Sequence, residues 1–314
     1  MLLPFNRKLV SGSEDGTLRV WDCETGAHEN TLRGHTNAVT AVAFAPPANG
    51  ISLLASASAD TTIKIWQPTF NTSSSASSTT TSPEESTAAC RRTLLGHDHT
   101  VSGVCFAGAH TLVSASRDGT AKLWDAETGF CVRTLHGHDG WVRAVAVSAP
   151  SPSSSSGSSA QGRQLVATAG HDRTVRVWAA DGGAAPVAVL RGHENAVEAV
   201  CFAEAGGQPV VVSGARDRTL RVWDLRTMAC AAVLDGHESW VRALAPVPGA
   251  PRLVCSAGND RAVLGWDVAA RRAVRTLRNT HKQFVVALAL CPTHGHLATG
   301  SDDATVKLWD SSLY

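Results

Sequence analysis

The fold is decided by two stretches of the sequence, Gly34–Phe44 (GHTNAVTAVAF) and Ser56–Trp66 (SASADTTIKIW). Each contains a short run of apolar or alternating side chains, which is typical of a β-strand. A Gly-His pair precedes the first run, and the second run ends at a tryptophan that has Asp60 six residues before it. The two stretches therefore predict two strands of one unit, with a histidine loop before the first strand and a turn before the second.

The same unit recurs through the whole chain. Seven tryptophans end such a strand, and each has an aspartate six residues earlier and a serine or threonine ten residues earlier. The uninterrupted steps between these tryptophans are 45, 45, 43 and 43 residues. A period of about 40 to 45 residues, with Gly-His early and Trp-Asp late, is typical of WD40 repeats, each of which folds as a four-stranded blade. The sequence therefore predicts an all-β protein, a seven-bladed WD40 β-propeller that occupies residues 1–314.

In six of the units a histidine, a hydroxyl, an aspartate and a tryptophan recur together. A histidine oriented by a carboxylate can activate a serine, so this combination suggests a hydrolase. Its repetition argues against catalysis, because a nucleophile needs one exceptional environment and each indole N–H here needs a partner. We therefore interpret the sets as buried hydrogen-bond chains, and we predict no catalytic residue and no enzyme. The six predicted sets are His35, Ser56, Asp60 and Trp66; His97, Ser114, Asp118 and Trp124; His138, Thr168, Asp172 and Trp178; His193, Ser213, Asp217 and Trp223; His237, Ser256, Asp260 and Trp266; and His281, Thr299, Asp303 and Trp309.

The composition argues against several other kinds of site. The eight cysteines form no Cys-x-x-Cys pair and no Cys/His cluster at ligand spacing, so we expect no metal, no cofactor and reduced thiols. No run of about 20 apolar residues and no secretory signal is present, so we expect a cytoplasmic protein without membrane insertion. Lys plus Arg is 28 and Asp plus Glu is 27, which argues against a dedicated polyanion binder unless the charge is segregated on one face.

Two features interrupt the regular repeat. Insertions rich in serine and threonine occupy residues 68–89 and 148–162, and their composition predicts surface loops because it offers little apolar area to bury. The first repeat lacks the Gly-His pair, and the chain ends four residues after Asp310, before a fourth strand of the last repeat. We therefore expect the N-terminal strands that close the ring to be missing, roughly 26 strands instead of 28, an open strand edge and a natural chain that begins upstream.

Several segments go beyond the general repeat pattern. They are Ser58–Lys64, Gly96–Ser102, Ser114–Thr120, Gly129–Thr134, Leu277–His281 and Phe284-Val285. In order along the seven repeats, these segments resemble the lissencephaly-1 or nuclear distribution family of dynein regulators, also known as the noncatalytic subunit of a platelet-activating-factor acetylhydrolase. Members of that family carry a LisH motif and a coiled coil before the propeller, and we expect neither within residues 1–314.

The resemblance implies a non-enzymatic interaction propeller. Its implied partners are the motor domain of the dynein heavy chain, coiled-coil dynein adaptors of the NudE type and the acetylhydrolase catalytic subunits. The implied location is the cytoplasm, on microtubules and at the centrosome. By motif, the motor-binding contacts of the family correspond to the following residues of this chain: Arg117, Arg143, Arg216, Trp240 and Arg261, the last at a position where relatives have lysine.

Outliers among the aligned repeats indicate the same face independently. Three residues after the loop histidine, three blades have a small residue and three have an aromatic one. Two residues further on, and on both sides of the turn aspartate, arginines recur. The outliers are Trp141, Trp240, Phe284, Arg143, Arg242, Arg117, Arg216, Arg173, Arg218 and Arg261. Because the buried chain ties the turn to the histidine loop, we expect these side chains on one face of blades three to six. Arginine and tryptophan dominate interface energetics, so the pattern predicts a partner-binding face.

Two other functions remain open from the residues alone. Arginine interleaved with aromatic residues also stacks bases and neutralises phosphates, but no basic tail and no high isoelectric point accompany it, so we expect no nucleic acid partner. A generic scaffold or a substrate-receptor propeller would use the same face for different peptides. The salt dependence of binding separates the first of these from a protein interface, because phosphate binding weakens steeply with salt.

Overall fold

The computed structural model describes residues 2–5, 8–46, 53–67, 90–149, 163–291 and 295–310. These residues form 27 β-strands in seven antiparallel sheets, and they form no helix. Accordingly, the described ranges contain no helix that is long and apolar enough to cross a membrane. The prediction of a seven-bladed all-β propeller is confirmed. The predicted insertion at 68–89 lies outside the described residues, as does that at 148–162 apart from Ser148 and Ala149.

The strands follow one another in chain order within each blade. Blades 1 to 4 consist of β1 (Leu2–Phe5), β2 (Lys8–Gly12), β3 (Leu18–Asp22) and β4 (His28–Leu32); β5 (Val39–Phe44), β6 (Leu54–Ser58), β7 (Ile63–Trp66) and β8 (Cys90–Leu94); β9 (Val101–Phe106), β10 (Thr111–Ser116), β11 (Ala121–Asp125) and β12 (Cys131–Leu135); and β13 (Val142–Val147), β14 (Leu165–Gly170), β15 (Thr174–Ala179) and β16 (Ala188–Arg191). Blades 5 to 7 consist of β17 (Val197–Ala205), β18 (Gln208–Ala215), β19 (Leu220–Asp224) and β20 (Ala229–Leu234); β21 (Val241–Pro246), β22 (Leu253–Gly258), β23 (Val263–Asp267) and β24 (Arg272–Leu277); and β25 (Val285–Leu290), β26 (Leu297–Ser301) and β27 (Val306–Trp309).

The first strand of every blade lies innermost and contacts the innermost strands of the neighbouring blades. Strand β1 contacts both β5 and β25, so blades 1 and 7 meet and the ring of sheets is continuous. The expectation that the N-terminal strands are missing is wrong for the inner strand of blade 1, because Leu2–Phe5 pairs with Lys8–Gly12 in an antiparallel register. The described residues therefore form one strand more than predicted. Among the described residues, blade 7 contains three strands.

The core lies between adjacent blades, where the sheets stack face to face. One apolar cluster joins Ala55 and Ile65 of blade 2 to Val104, Phe106 and Trp124 of blade 3. The second strand of a blade is covered on both faces, so its burial does not alternate, and every residue of β6 is buried. This stacking places the loops that connect neighbouring blades beside one another at one end of the ring.

Candidate functional site: an arginine and tryptophan face

In blades 2 to 7, a hydrogen-bond chain links the histidine loop to the third strand. In blade 2, Trp66 donates its indole N–H to Ser56 Oγ at 2.8 Å, and His35 Nε2 lies 2.7 Å from the same oxygen. His35 Nδ1 lies 2.8 Å from Asp60 Oδ2. The geometry fits a neutral histidine that accepts the Ser56 proton at Nε2 and donates from Nδ1 to the carboxylate. Each group in the chain then has a partner.

All six sets identified in the sequence have this arrangement. The distances from histidine Nε2 to the hydroxyl oxygen run from 2.6 to 2.8 Å, and those from histidine Nδ1 to the nearest carboxylate oxygen from 2.6 to 3.1 Å. In blade 1, which lacks the histidine, Trp21 still donates to Ser11 at 2.8 Å. All six hydroxyl groups belong to residues with 0% exposure. This burial is consistent with the interpretation of the sets as hydrogen-bond chains.

The pKa values of His35 and Asp60 in blade 2 fit the same interpretation. Burial would raise the pKa of Asp60, but hydrogen bonds from Thr62, His35 and Thr36 outweigh it and lower that pKa to about 2. Burial lowers the pKa of His35, despite the opposing influence of Asp60. At neutral pH the pair therefore consists of a carboxylate and a neutral imidazole. Such a pair holds the loop in place and has no free proton acceptor facing solvent.

The network aligns the histidine loop with the turn before the third strand. The residue before the turn aspartate donates its backbone N–H to the residue three positions after the histidine, as Arg216 does to Ala196 and Asn259 to Trp240, both at 2.9 Å. The residue after the aspartate has a left-handed backbone, with φ of 62° at Arg261. The aligned outlier positions thus lie on one face of the ring.

A β-bulge at the start of the inner strand re-aims one side chain in each of several blades. The pairing register shifts between Val142 and Ala144, between Val197 and Ala199, and between Val241 and Ala243. A bulge leaves the extra residue outside the ladder and turns its side chain. The three bulged residues are Arg143 in blade 4, Glu198 in blade 5 and Arg242 in blade 6, and they line the mouth of the central channel.

Glu198 is the centre of an arginine cluster. Arg143 donates from Nε and Nη2 to Glu198 Oε2 at 3.0 and 2.7 Å, and Arg216 donates from Nε to Oε1 at 2.5 Å. Arg242 Nη1 lies 3.8 Å from Oε2. The Glu198 side chain is 4% exposed. Burial alone would raise the pKa of this carboxyl, but Arg143 and Arg216 hold it below its ordinary value, so Glu198 is ionised.

Two arginines of this face stack on exposed tryptophans of the next blade. Arg117 Cζ lies 4.9 Å from the ring centre of Trp141, and Arg216 Cζ lies 4.3 Å from that of Trp240. The tryptophans are 39% and 36% exposed. His171 also contacts Trp141, with ring centres 5.3 Å apart. Cation–π contacts of this kind hold a large apolar surface in a fixed orientation.

The structure brings together six of the ten outlier residues that the sequence predicts for the binding face. Arg117, Arg143, Arg216, Arg242, Trp141 and Trp240 form the cluster described above. Arg261 lies exposed in the turn of blade 6, and among the described residues its side chain has no contact with the cluster. The sequence reasoning missed Glu198, although its appearance at a repeat position that holds arginine in both neighbouring blades was a usable signal. The described residues contain no group of His, Cys, Asp and Glu that could hold a metal ion.

Comparisons with known proteins agree with the repeat pattern. The family described as WD domain, G-beta repeat matches residues 2–22, 26–67, 88–125, 129–179, 184–224, 228–267 and 271–310. The chain is 36% identical over 319 residues to nuclear distribution protein PAC1 of Arthroderma otae, covering 92% of this chain and 63% of the relative. It is 34% identical over 345 residues to PAC1 of Arthroderma benhamiae, covering 98% and 68%. It is 34% identical over 310 residues to nuclear distribution protein nudF of Aspergillus niger, covering 92% and 63%. The chain thus spans about two thirds of the length of these relatives.

Proposed function

This chain belongs to the WD40 repeat family and, within it, to the family of nuclear distribution proteins, and from that premise we propose that it is a non-enzymatic regulator of cytoplasmic dynein that binds the dynein motor domain. The observation that supports this proposal best is the pair of exposed tryptophans, Trp141 and Trp240, each stacked under an arginine. The resemblance adds NudE-type adaptors and acetylhydrolase catalytic subunits as further partners, and a cytoplasmic, microtubule-associated location.

The face has the properties of a protein interaction site. Interface hot spots are enriched in tryptophan and arginine because these side chains combine large area with directed hydrogen bonds. Here the arginines are already ordered, so binding costs less side-chain entropy than it would with free arginines. Three guanidinium groups surround one carboxylate and a fourth, that of Arg117, stacks on Trp141, so the partner surface should be acidic with an apolar patch at its centre.

A titration against an isolated dynein motor domain tests the proposal. The Trp240→Ala variant should bind more weakly by about 2 kcal/mol or more, roughly thirtyfold, because it removes an aromatic anchor from a desolvated patch. The control is Arg226→Ala. Arg226 lies in the turn after β19, whereas Arg216 lies in the turn before that strand, and the Arg226 side chain is 73% exposed. This control should bind like the parent.

Substitutions of the arginines test the electrostatic part of the proposed interface. Arg117→Ala should cost about 0.5 to 1 kcal/mol and reduce the association rate and its salt dependence more than the dissociation rate. Arg216→Glu is a poor test, because the new carboxylate would lie beside Glu198 and perturb the fold. If Trp240→Ala binds the motor domain like the parent while its unfolding is unchanged, the face is not the motor site and a generic scaffold becomes the better proposal.

A further inference from the structure

Glu198 is the one carboxylate in direct contact with three of the arginines of the described face. Its two oxygens divide the arginines: Oε1 accepts from Arg216, and Oε2 accepts both donors of Arg143 and lies near Arg242. The three arginines come from blades 4, 5 and 6, so one side chain connects three blades across the channel mouth.

Burial of the Glu198 carboxylate lowers the stability of the fold unless other interactions replace its lost hydration. A buried carboxylate loses much of its hydration, and only several charge-assisted hydrogen bonds offset that loss. The arginines provide these hydrogen bonds and charges. Their own side chains are largely buried, with 15%, 20% and 25% exposure for Arg143, Arg216 and Arg242. Without the carboxylate, these three cations would repel one another and move into solvent.

The position of Arg216 decides how Trp240 is presented. Its guanidinium bonds to Glu198 through Nε and lies against the Trp240 ring at the same time, so the carboxylate fixes the arginine and the arginine fixes the ring. Trp240 remains 36% exposed in this orientation. The carboxylate itself, 4% exposed, is hidden from any partner.

We propose that Glu198 is a positioning residue of the binding face: it orders Arg143, Arg216 and Arg242, and through Arg216 it holds Trp240 in the orientation that the partner recognises. This inference rests on the proposed function, because it assigns Glu198 a role in that same interface. It also makes a prediction of unusual sign. If charge alone mattered, removing Glu198 would strengthen binding to an acidic partner, whereas loss of positioning weakens it.

The test compares Glu198→Gln with the parent and with Glu204→Gln in the full chain. Glu204 lies on the same strand, β17, but is exposed and stands near its other end. Affinity for the isolated dynein motor domain should fall by about tenfold in Glu198→Gln, since each arginine that must be ordered on binding costs affinity, and should not change in Glu204→Gln. Glu198→Asp, which keeps the charge, should recover part of the loss.

Two further measurements distinguish positioning from general stabilisation. With 5-fluorotryptophan incorporated, the fluorine resonance of Trp240, assigned by its absence in Trp240→Phe, should shift or broaden in Glu198→Gln and stay unchanged in Glu204→Gln. In an Arg216→Ala background, Glu198→Gln should reduce affinity less than it does in the parent, because residues that act through one another are not additive.

The outcomes separate the two proposals. Unchanged or tighter binding by Glu198→Gln, or full additivity with Arg216→Ala, would overturn the positioning role while leaving motor binding intact. If the parent itself does not bind the motor domain, the proposed function is wrong, and an unchanged Trp240 resonance in Glu198→Gln would independently overturn the ordering of Arg216 by Glu198.

Discussion

Replacing Asp217 by asparagine should destabilise the propeller far more than the same replacement of Asp15. Asp217 Oδ2 accepts from His193 Nδ1 at 2.7 Å and from the Glu194 backbone at 3.0 Å, and Oδ1 accepts twice from Thr219. An asparagine has only one acceptor oxygen, so its NH₂ group must face two of these donors in either orientation.

The structure gives the magnitude. Two donors lose their acceptor, and a fully buried loss costs about 1 to 3 kcal/mol, which gives about 2 to 6 kcal/mol for two such losses. Because the Glu194 donor is exposed and the Thr219 donors are only partly buried, we expect Asp217→Asn to lower the free energy of unfolding by about 2 to 4 kcal/mol. Asp15 stands at the same repeat position of blade 1, where no histidine is present, and its side chain is 49% exposed. Its Oδ1 accepts from Thr17, and an asparagine could keep those bonds while its NH₂ group faces solvent. Asp15→Asn should therefore cost less than about 1 kcal/mol.

Urea unfolding followed by tryptophan fluorescence measures both variants against the parent. The paired design matters because the two substitutions are chemically identical, whereas only Asp217 accepts hydrogen bonds from a histidine and from the backbone of the histidine loop. Neither variant should lose motor binding at temperatures where it is folded. If the two variants lie within about 0.5 kcal/mol of each other, a precision typical of such comparisons, the buried chain does not stabilise the blade as argued.

Two other changes should have measurable effects. Acid should destabilise the fold in two stages, because the pKa values of His35 and Asp60 in the folded protein lie below their ordinary 6.5 and 3.8, that of Asp60 being about 2. The contribution of this pair to stability is full above pH 6.5, declines as the pH falls below about 6.5, and declines again between about pH 4 and 2. A urea midpoint that stays constant over this pH range would contradict the assigned protonation states. Gly258→Ala should lower stability by about 1 to 3 kcal/mol and weaken motor binding, because the added Cβ would stand 2.3 Å from the Trp240 carbonyl oxygen; unchanged melting would show that this loop moves aside freely.

The sequence allowed the blade architecture to be predicted because each blade repeats the same physical solution. A buried indole N–H, a hydroxyl, an imidazole and a carboxylate can form these hydrogen bonds only at fixed sequence spacings. The spacing therefore recurs from unit to unit and can be recognised from the sequence alone. Strand β1 (Leu2–Phe5) was missed for the opposite reason. It has no Gly-His pair before it, and a four-residue strand carries too little pattern to be recognised on its own.

The candidate face was only partly predictable, because its decisive contacts join different blades. The repeat alignment shows that Arg143, Glu198 and Arg242 occupy equivalent positions, but a linear alignment does not show that these positions meet at the channel mouth. The β-bulges that turn the three side chains there leave no distinct sequence signal. The sequence therefore assigns no role to a carboxylate between two arginines, whereas in the structure Glu198 accepts hydrogen bonds from Arg143 and Arg216.

The local charge of the face explains how a nearly neutral protein can favour an acidic partner. Arg117, Arg143, Arg216 and Arg242 contribute four positive charges and Glu198 one negative charge, so the cluster carries +3 although the whole chain carries +1. At physiological ionic strength, exposed charges more than about 8 Å apart are largely screened, so an approaching partner is influenced by the cluster rather than by the total. The arginines should then govern the rate of association, and Trp240, which must be stripped of water to bind, should govern the rate of dissociation.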